Sequence, residues 1–233
     1  MRADGGIRSR SPRPLHSLPV AATGLHPDKA FSMPRRCVVS LAALCALLAP
    51  LCAVAAPRCD WNSAVTDADR AAVTVAADSL QQAIAPHYAD ADQEHGAALA
   101  RTLLQRAQSP QLPGKLEGRW KVRSIQVEPR FAYAYPYFKA EIARDPCGYR
   151  LRKTSGSQRR SGTLSALATD SRAFAFLGAS TVNDAPPGHY APGNVADGSK
   201  GNSVGRLVAL GHDELLLILD GNAKGFELYQ LIR

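Results

Sequence analysis

Apolar and polar residues alternate with a period of two over most of the chain from Gly118 to the C-terminus. This alternation is typical of strands with one buried face. Eight runs qualify, at residues 120–127, 131–138, 149–153, 161–166, 173–177, 206–210, 214–219 and 226–232. Turn residues separate the runs and no crossover helix lies between them, so an antiparallel meander is expected. Such a meander closes as a lipocalin-like barrel or packs as a sandwich, and the pattern leaves both open.

The segment 56–114 has helical patterns instead. Thr66 and Asp69 form a predicted capping box at the start of the first helix. The apolar residues that follow at helical spacing are Val73, Ala76, Leu80 and Ile84, and Pro86 ends the pattern. A second helix is predicted at 93–108, with Leu103 and Leu104 facing inward. The fold class is therefore α+β, with two N-terminal helices packed on a barrel-like sheet at 115–233 in one domain.

The residues before this domain match a secretory signal peptide at 33–55. Two arginines precede an apolar run at 38–49, and small residues lie at the cleavage positions near Ala55. The run is too short to span a bilayer, which disfavours the alternative of an uncleaved anchor. We expect a periplasmic or secreted protein without a stable transmembrane segment after cleavage. Residues 1–32 are interpreted as a mis-annotated, disordered extension.

The positive charge is concentrated in two places. The whole chain has 28 basic and 20 acidic residues, but residues 1–56 hold 7 of the basic and 2 of the acidic ones. The remainder has a net charge of only +3, so general nucleic-acid binding is not expected. Residues 115–160 hold 12 basic and 4 acidic residues. This segment predicts a local anionic partner, or alternatively an ordinary solvated strand face.

Two of the five cysteines lie beyond the predicted signal peptide. Cys59 and Cys147 form an even count in a compartment expected to be oxidising, which predicts a single disulfide.

The basic segment contains a candidate ligand site. Arg150 and Arg152 alternate on one predicted strand, so both guanidinium groups face the same side, and guanidinium groups bind phosphate and carboxylate well. Tyrosines alternate in the same way at 133, 135 and 137 and offer an amphipathic surface. The predicted ligand-binding residues are Arg123, Tyr133, Tyr135, Arg150, Arg152, Ser157, Gln158 and Arg159. The alternative is that these residues form ordinary cross-strand and cation–π pairs.

Catalytic and metal patterns are weak. The sequence Gly156–Arg159 lacks the second glycine of a nucleophile elbow. Two histidines and three acidic residues cluster at 87–95, but their spacing matches no standard metal loop. No metal or cofactor is therefore predicted, and binding without catalysis is favoured.

Several short motifs resemble the bacterial domain-of-unknown-function family 4893. They are Asp60-Trp61-Asn62-Ser63, Gly118-Arg119-Trp120, Gly156-Ser157-Gln158-Arg159, Phe176-Leu177-Gly178 and the closing Phe226-Glu227-Leu228. The resemblance covers about residues 60–233 and implies an exported envelope protein without an established activity. It also implies cysteines at the positions of Val122 and Ala140, where apolar packing would replace a bridge. Whether Cys59 and Cys147 form a substitute bridge or two free thiols is left open.

Two functions fit these features. The first is a binding module that holds a small anionic or amphiphilic envelope-derived ligand in the mouth of the barrel, with the loop 188–205 as a lid. The second is an accessory protein that docks an envelope partner. A hydrolase of unknown type is a more distant third.

Overall fold

The computed structural model describes residues 59–167, 170–194, 200–222 and 225–233. The predicted extension 1–32 and signal peptide 33–55 lie outside the described residues. Within the described residues, no helix has both the length and the apolar character needed to cross a membrane.

Helices occupy the first part of the described chain. They are α1 Trp61–Ala64, α2 Asp67–Thr74, α3 Ala77–Ala83 and α4 Ala91–Ala107. The predicted single helix that ends near Ile84 is therefore two helices, separated at Val75 and Ala76. Val73 packs with Ala175, whereas Leu80 and Ile84 belong to a different buried cluster. The break lets each helix bury its own apolar face.

The predicted N-cap of α2 is confirmed. The Thr66 hydroxyl accepts a hydrogen bond from the Asp69 amide at 3.2 Å and donates to the Asp69 carboxylate at 2.9 Å. The Tyr190 hydroxyl donates to the same carboxylate at 2.5 Å. The cap therefore also ties the helical segment to the chain that leads into the later strands.

Nine antiparallel strands follow the helices. They are β1 Gly118–Glu128, β2 Phe131–Ala134, β3 Phe138–Asp145, β4 Gly148–Lys153, β5 Gln158–Leu167, β6 Asp170–Val182, β7 Gly201–Gly211, β8 Glu214–Asn222 and β9 Gly225–Ile232. The predicted strand at 131–138 ends at Ala134 as β2, and β3 lies almost wholly in a segment where no strand was predicted. One edge of β1 pairs with β3 over its first half and with β2 over its second half. Pro136, which has no amide hydrogen to donate, lies between the two.

The sheet closes on itself. Consecutive strands pair from β3 to β9, and β9 returns to β1, with Lys121 opposite Ile232 and Val127 opposite Phe226. Eight strands, β1 and β3–β9, thus form an antiparallel up-and-down barrel, which confirms the barrel-like prediction. The meander does not form the two sheets of a sandwich.

Apolar side chains fill most of the barrel interior. The interior cluster includes Trp120, Phe174, Phe176, Tyr229 and leucines from β4, β5, β7, β8 and β9. Val122 and Ala140 belong to the same cluster and are almost fully buried. Packing therefore occupies the two positions where the family resemblance implies cysteines.

A second buried cluster lies on the outer surface of the barrel. Leu103 and Leu104 of α4 share this cluster with Ile125 and Leu228, which face outward from β1 and β9. Leu80 of α3 belongs to it as well. The two leucines of α4 thus face inward, as the helical pattern predicts.

The predicted loop at 188–205 is shorter than the sequence suggests. Strand β7 begins at Gly201, so residues 201–205 are strand, and residues 195–199 lie outside the described residues. Asn202 is buried and exchanges hydrogen bonds with the Ala191 backbone at 3.1 and 2.7 Å. The small polar residues at the start of β7 have the composition of a loop although their hydrogen bonds are satisfied, and the predicted loop was therefore too long.

Removal of the disulfide should destabilise the fold. Cys59 and Cys147 are paired, with Cα atoms 4.8 Å apart and a sequence separation of 88 residues. The double substitution Cys59→Ser and Cys147→Ser should lower the free energy of unfolding by about 2–4 kcal/mol, because the unfolded chain regains the entropy of a long loop. Urea denaturation measures this. Reduced wild type should match the variant, and a variant as stable as oxidised wild type would contradict the prediction.

Candidate functional site

One end of the barrel interior is polar instead of apolar. Arg160 of β5 and Glu227 of β9 form an ion pair at 2.5 Å, and their side chains are only 14% and 12% exposed. The Arg160 Nε donates to the Ser203 hydroxyl at 2.7 Å, and the Ser124 hydroxyl donates to the Glu227 carboxylate. Each of the two buried charges therefore has both an opposite charge and a neutral hydrogen-bond partner.

Lys153 brings a further positive charge to this end of the barrel. The residue is 8% exposed, and its Nζ lies 4.5 Å from the centre of the Phe138 ring and 5.6 Å from that of Tyr229. Within the described residues, no carboxylate oxygen lies within 4 Å of this ammonium group. Desolvation lowers the pKa of Lys153, with Arg160 and Arg159 lowering it further against the opposing effect of Glu227. Lys153 is thus a buried cation without a close counter-charge.

A recess of about 220 Å³ opens beside Lys153 at the rim of the barrel. It lies between the turn that joins β4 to β5 and the segment that follows β6. Its lining residues are Arg152, Lys153, Thr154, Arg159, Arg160, Ser161, Thr181, Asp184, Ala185, Pro186 and Pro187. Four cations and one carboxylate thus surround the recess, which is smaller than the roughly 300–1,000 Å³ typical of drug-sized ligand sites. Its size and charge suit a small anion.

The single carboxylate of the recess is weakly held. Asp184 pairs with Arg159 at 3.2 Å, but its side chain is 97% exposed. Exposed ion pairs contribute little to stability because water and salt screen them. An external anion can therefore replace Asp184 beside the Arg159 guanidinium at a small energetic cost.

A smaller polar opening of about 90 Å³ lies next to the buried ion pair, between Gln126, Gln158 and Ser180. The Tyr135 hydroxyl donates to the Gln126 side chain at 3.3 Å, and the Tyr133 and Tyr135 rings meet edge to face at 4.9 Å. Burial is the main cause that raises the pKa of Tyr135, and the charge of Glu227 adds to it. The predicted residues Gln158 and Tyr135 are therefore close to the polar end of the barrel, with Tyr133 beside them.

Other predicted residues lie on the outer surface. Arg123 donates to the Gln230 side chain at 2.7 Å, and Arg150 pairs with Asp145 at 2.8 Å. Of the remaining predicted residues, Arg152 and Arg159 line the recess, whereas Ser157 is exposed in the turn before β5. The structure therefore divides the predicted set between the recess, the small opening and the outside of the barrel.

Tyr137 departs from the predicted row of tyrosines. Its hydroxyl donates to the Gln230 side chain at 3.1 Å, and its ring lies 4.8 Å from the Arg123 guanidinium on the outer surface. The alternation that relates Tyr133 to Tyr135 does not continue, because the chain leaves β2 before it reaches Tyr137.

The sequence did not predict that Lys153 and Arg160 both face the interior of the barrel. Lys153 is in phase with the buried Leu151 on β4, and Arg160 is in phase with the buried Leu164 on β5. Both residues therefore continue an inward-facing row. The signal was present in the alternation, although a strand of mostly basic residues does not reveal which row faces inward.

The sequence Gly201–Gly205 spells Gly-x-Ser-x-Gly, a pattern that the sequence interpretation did not use. In a nucleophile elbow, the serine lies exposed on a sharp turn between a strand and a helix. Here Ser203 is in the middle of β7, is 0% exposed and accepts a hydrogen bond from Arg160. It stabilises the buried guanidinium and lacks the geometry of a nucleophile.

The acidic cluster at 87–95 has a structural role in the helix start. Asp90 is the N-cap of α4 and accepts from the Gln93 amide at 2.9 Å, which lowers the pKa of Asp90. The Glu94 carboxylate accepts from the Tyr88 amide at 2.6 Å. In the part of the chain that the structure describes, no three His, Cys, Asp or Glu side chains are arranged to hold a metal ion.

A larger cleft of about 450 Å³ lies outside the barrel, between α2–α3 and the outer face of β7. Its two guanidinium groups share one carboxylate, since Asp170 pairs with Arg172 at 3.1 Å and with Arg206 at 3.5 Å. Asp78 also lines the cleft, so its charges balance. The rim recess therefore remains the stronger candidate for an anion.

Comparison with known proteins identifies one family. The family model described as "Domain of unknown function (DUF4893)" matches residues 61–227. No curated protein and no solved structure matches the chain.

The buried Lys153 should make stability depend on pH. Its pKa is lower in the folded protein than the ordinary value of 10.5, so the unfolded chain binds more protons between the two values. The free energy of unfolding of wild type should therefore rise with pH in this window relative to Lys153→Met, which keeps the apolar stem. Urea denaturation from pH 7 to pH 10 measures the difference between the two proteins. Lys121→Met at an exposed position controls for loss of a charge, and parallel curves for Lys153→Met and wild type would contradict the prediction.

Proposed function

We propose that this chain, which belongs to the DUF4893 family, is a non-catalytic binding module that holds a small anion in the recess at the rim of its barrel. The observation that carries the proposal is Lys153, a buried ammonium group without a close carboxylate partner. An unpaired buried charge is costly, and a bound anion would supply the missing counter-charge.

Two guanidinium groups beside Lys153 support this function. Arg159 and Arg160 both line the recess. Arg160 is already oriented by Glu227 and Ser203, while Arg159 is held by the Gly156 carbonyl at 3.0 Å and by the exposed Asp184. Guanidinium groups fixed in this way bind carboxylate or phosphate oxygens with little loss of side-chain entropy.

The filled interior favours a compact anion over a long amphiphile. Trp120, Phe176 and Tyr229 occupy the barrel behind the recess, so an acyl chain has no apolar channel to enter. Thr154 and Thr181 also line the recess, so neutral polar residues accompany its cations. A carboxylate or a phosphate group on a small molecule fits these surroundings.

Binding should be detectable with inorganic phosphate as the probe. Phosphate at ten times its dissociation constant should stabilise wild type by about 1.4 kcal/mol through mass action, measured as a shift in urea denaturation at constant ionic strength. Lys153→Met should lose the shift, and Asp184→Ala should bind phosphate several-fold more tightly because the internal competitor is gone.

Lys121→Met is the matched control for these titrations, because it removes one exposed ammonium group that does not line the recess. It should retain the wild-type shift. If Lys153→Met responds to phosphate as wild type does, the recess is not the site. If chloride of equal ionic strength gives the same shift as phosphate in wild type, the effect is screening and the proposed function fails.

We further propose that the module acts outside the cytoplasm after export. The support is the signal-peptide pattern at 33–55 together with the pairing of Cys59 and Cys147, since disulfides persist in oxidising compartments. Intact-mass measurement of the protein expressed in a bacterial host and recovered from its periplasm should give a chain that begins near Ala56 and lacks the two thiol hydrogens. A cytoplasmic chain that retains residues 33–55 would contradict the proposal.

A further inference from the structure

A row of cations covers one outer face of the barrel. We define the basic face as the outward-facing cations of β1, β3 and β4, which are Arg119, Lys121, Arg123, Lys139, Arg150 and Arg152. Cross-strand register places Lys121 directly opposite Lys139, and it places Glu141 between Arg119 and Arg152. Two carboxylates, Glu141 and Asp145, lie in phase with these six cations on the same outward-facing rows.

The Lys121–Lys139 pair is unfavourable for the isolated protein. Directly opposite residues of an antiparallel pair have Cβ atoms roughly 5 Å apart, and like charges there destabilise the sheet. Both lysines are exposed, and within the described residues no carboxylate lies within 4 Å of either ammonium group. Departures from local pairing rules of this kind are expected where a surface has a function outside the fold.

Within the residues that the structure describes, no helix covers the basic face. The helices cover a different part of the outer surface, where α4 packs on Ile125, Val127 and Leu228. Adjacent strands lie about 4.8 Å apart and residues rise about 3.4 Å along each strand. From Arg150 to Arg123 the six cations therefore occupy a sheet surface about 10 Å wide and about 20 Å long.

The composition of the face favours a planar anionic surface over a folded protein. Specific protein interfaces need an apolar or aromatic centre, whereas the large exposed apolar residues of the described chain are Leu112 and Tyr137. Tyr137 lies at the border of the face and stacks with Arg123, which leaves the centre without an aromatic platform for nucleic-acid bases. Long cationic side chains with an amphipathic ring beside them suit lipid phosphates at a bilayer surface.

We propose that the basic face docks the protein on anionic phospholipid membranes. The attraction is electrostatic and peripheral, because each lysine or arginine near an anionic bilayer adds to binding without inserting apolar area. Arg152 belongs to the basic face and also lines the recess, but this inference does not rest on the anion recess, because Lys121 and Lys139 at the centre of the face are not among the residues that line it.

Vesicle co-sedimentation tests the proposal with the chain from residue 56 onward. The probes are vesicles of phosphatidylcholine alone and vesicles in which about 40% of the phosphatidylcholine is replaced by phosphatidylglycerol. Wild type should bind the anionic vesicles at low salt, and binding should fall at least about tenfold when added salt shortens the Debye length to a few ångströms. No binding to anionic vesicles at low salt would overturn the proposal.

Charge reversal locates the surface. Lys121→Glu with Lys139→Glu should lower the vesicle partition coefficient about tenfold or more, because the pair is at the centre of the face. Arg130→Glu with Lys200→Glu changes the net charge equally at exposed positions outside the face and should bind much better than the first variant. Equal loss in both variants would show a dependence on net charge alone and would overturn the assignment.

Phosphate titration and urea denaturation of the Lys121→Glu, Lys139→Glu variant serve as fold controls. The variant should keep the phosphate response of wild type, and its free energy of unfolding should stay close to that of wild type, because a pair of glutamates replaces a pair of lysines at the same exposed positions. If the charge-reversal variant does not fold, the double substitution Lys121→Gln with Lys139→Gln is measured instead. It should lower the vesicle partition coefficient by a smaller factor than charge reversal. Wild-type partition for that variant would contradict the proposal.

Discussion

The interior of an eight-stranded barrel is wide enough either for packed side chains or for one small ligand, and in this chain side chains fill it. Gly162 and Gly178 are paired across β5 and β6, and a Cβ atom on either one would lie 2.6 Å from the Phe176 ring. One large ring thus requires two residues without side chains. Because such packing occupies the middle of the barrel, any ligand must bind at a rim or on the outside.

The polar rim shows how the same fold accommodates charge in two different ways. The Arg160–Glu227 pair is nearly enclosed, and Ser124 and Ser203 satisfy its remaining hydrogen bonds. Lys153 lies at the same level of the barrel with aromatic faces as its neighbours. Burial of a satisfied pair contributes to a defined structure, whereas burial of Lys153 has a cost that the charge of Glu227 and the two aromatic rings offset only in part, since the pKa of Lys153 is lowered. This difference separates the structural part of the rim from the part assigned to binding.

Alternation and turn chemistry were enough to predict most of the strands and the Thr66 cap, because these depend on local sequence, but they left the choice between barrel and sandwich open and missed β3. The candidate site was less accessible from sequence. Basic residues occupy both phases of β4 and β5, so the pattern cannot tell Arg152, which is exposed, from Lys153, which is buried. Only the closure of the sheet decides which row faces inward. The split at 131–138 has a similar origin, since it depends on how β1 divides one edge between two partners and not on local preference.

The pairing of β1 with β9 also determines when the chain can fold. Residues 121–127 find their partners at 226–232, so about a hundred residues separate the two halves of the closing ladder. Contacts of such long sequence separation form late and slowly, because the intervening chain must first lose its conformational freedom. During synthesis, β1 leaves the ribosome well before β9 is made. The barrel therefore closes only once β9 has emerged from the ribosome, and until then one edge of β1 is unpaired and open to aggregation.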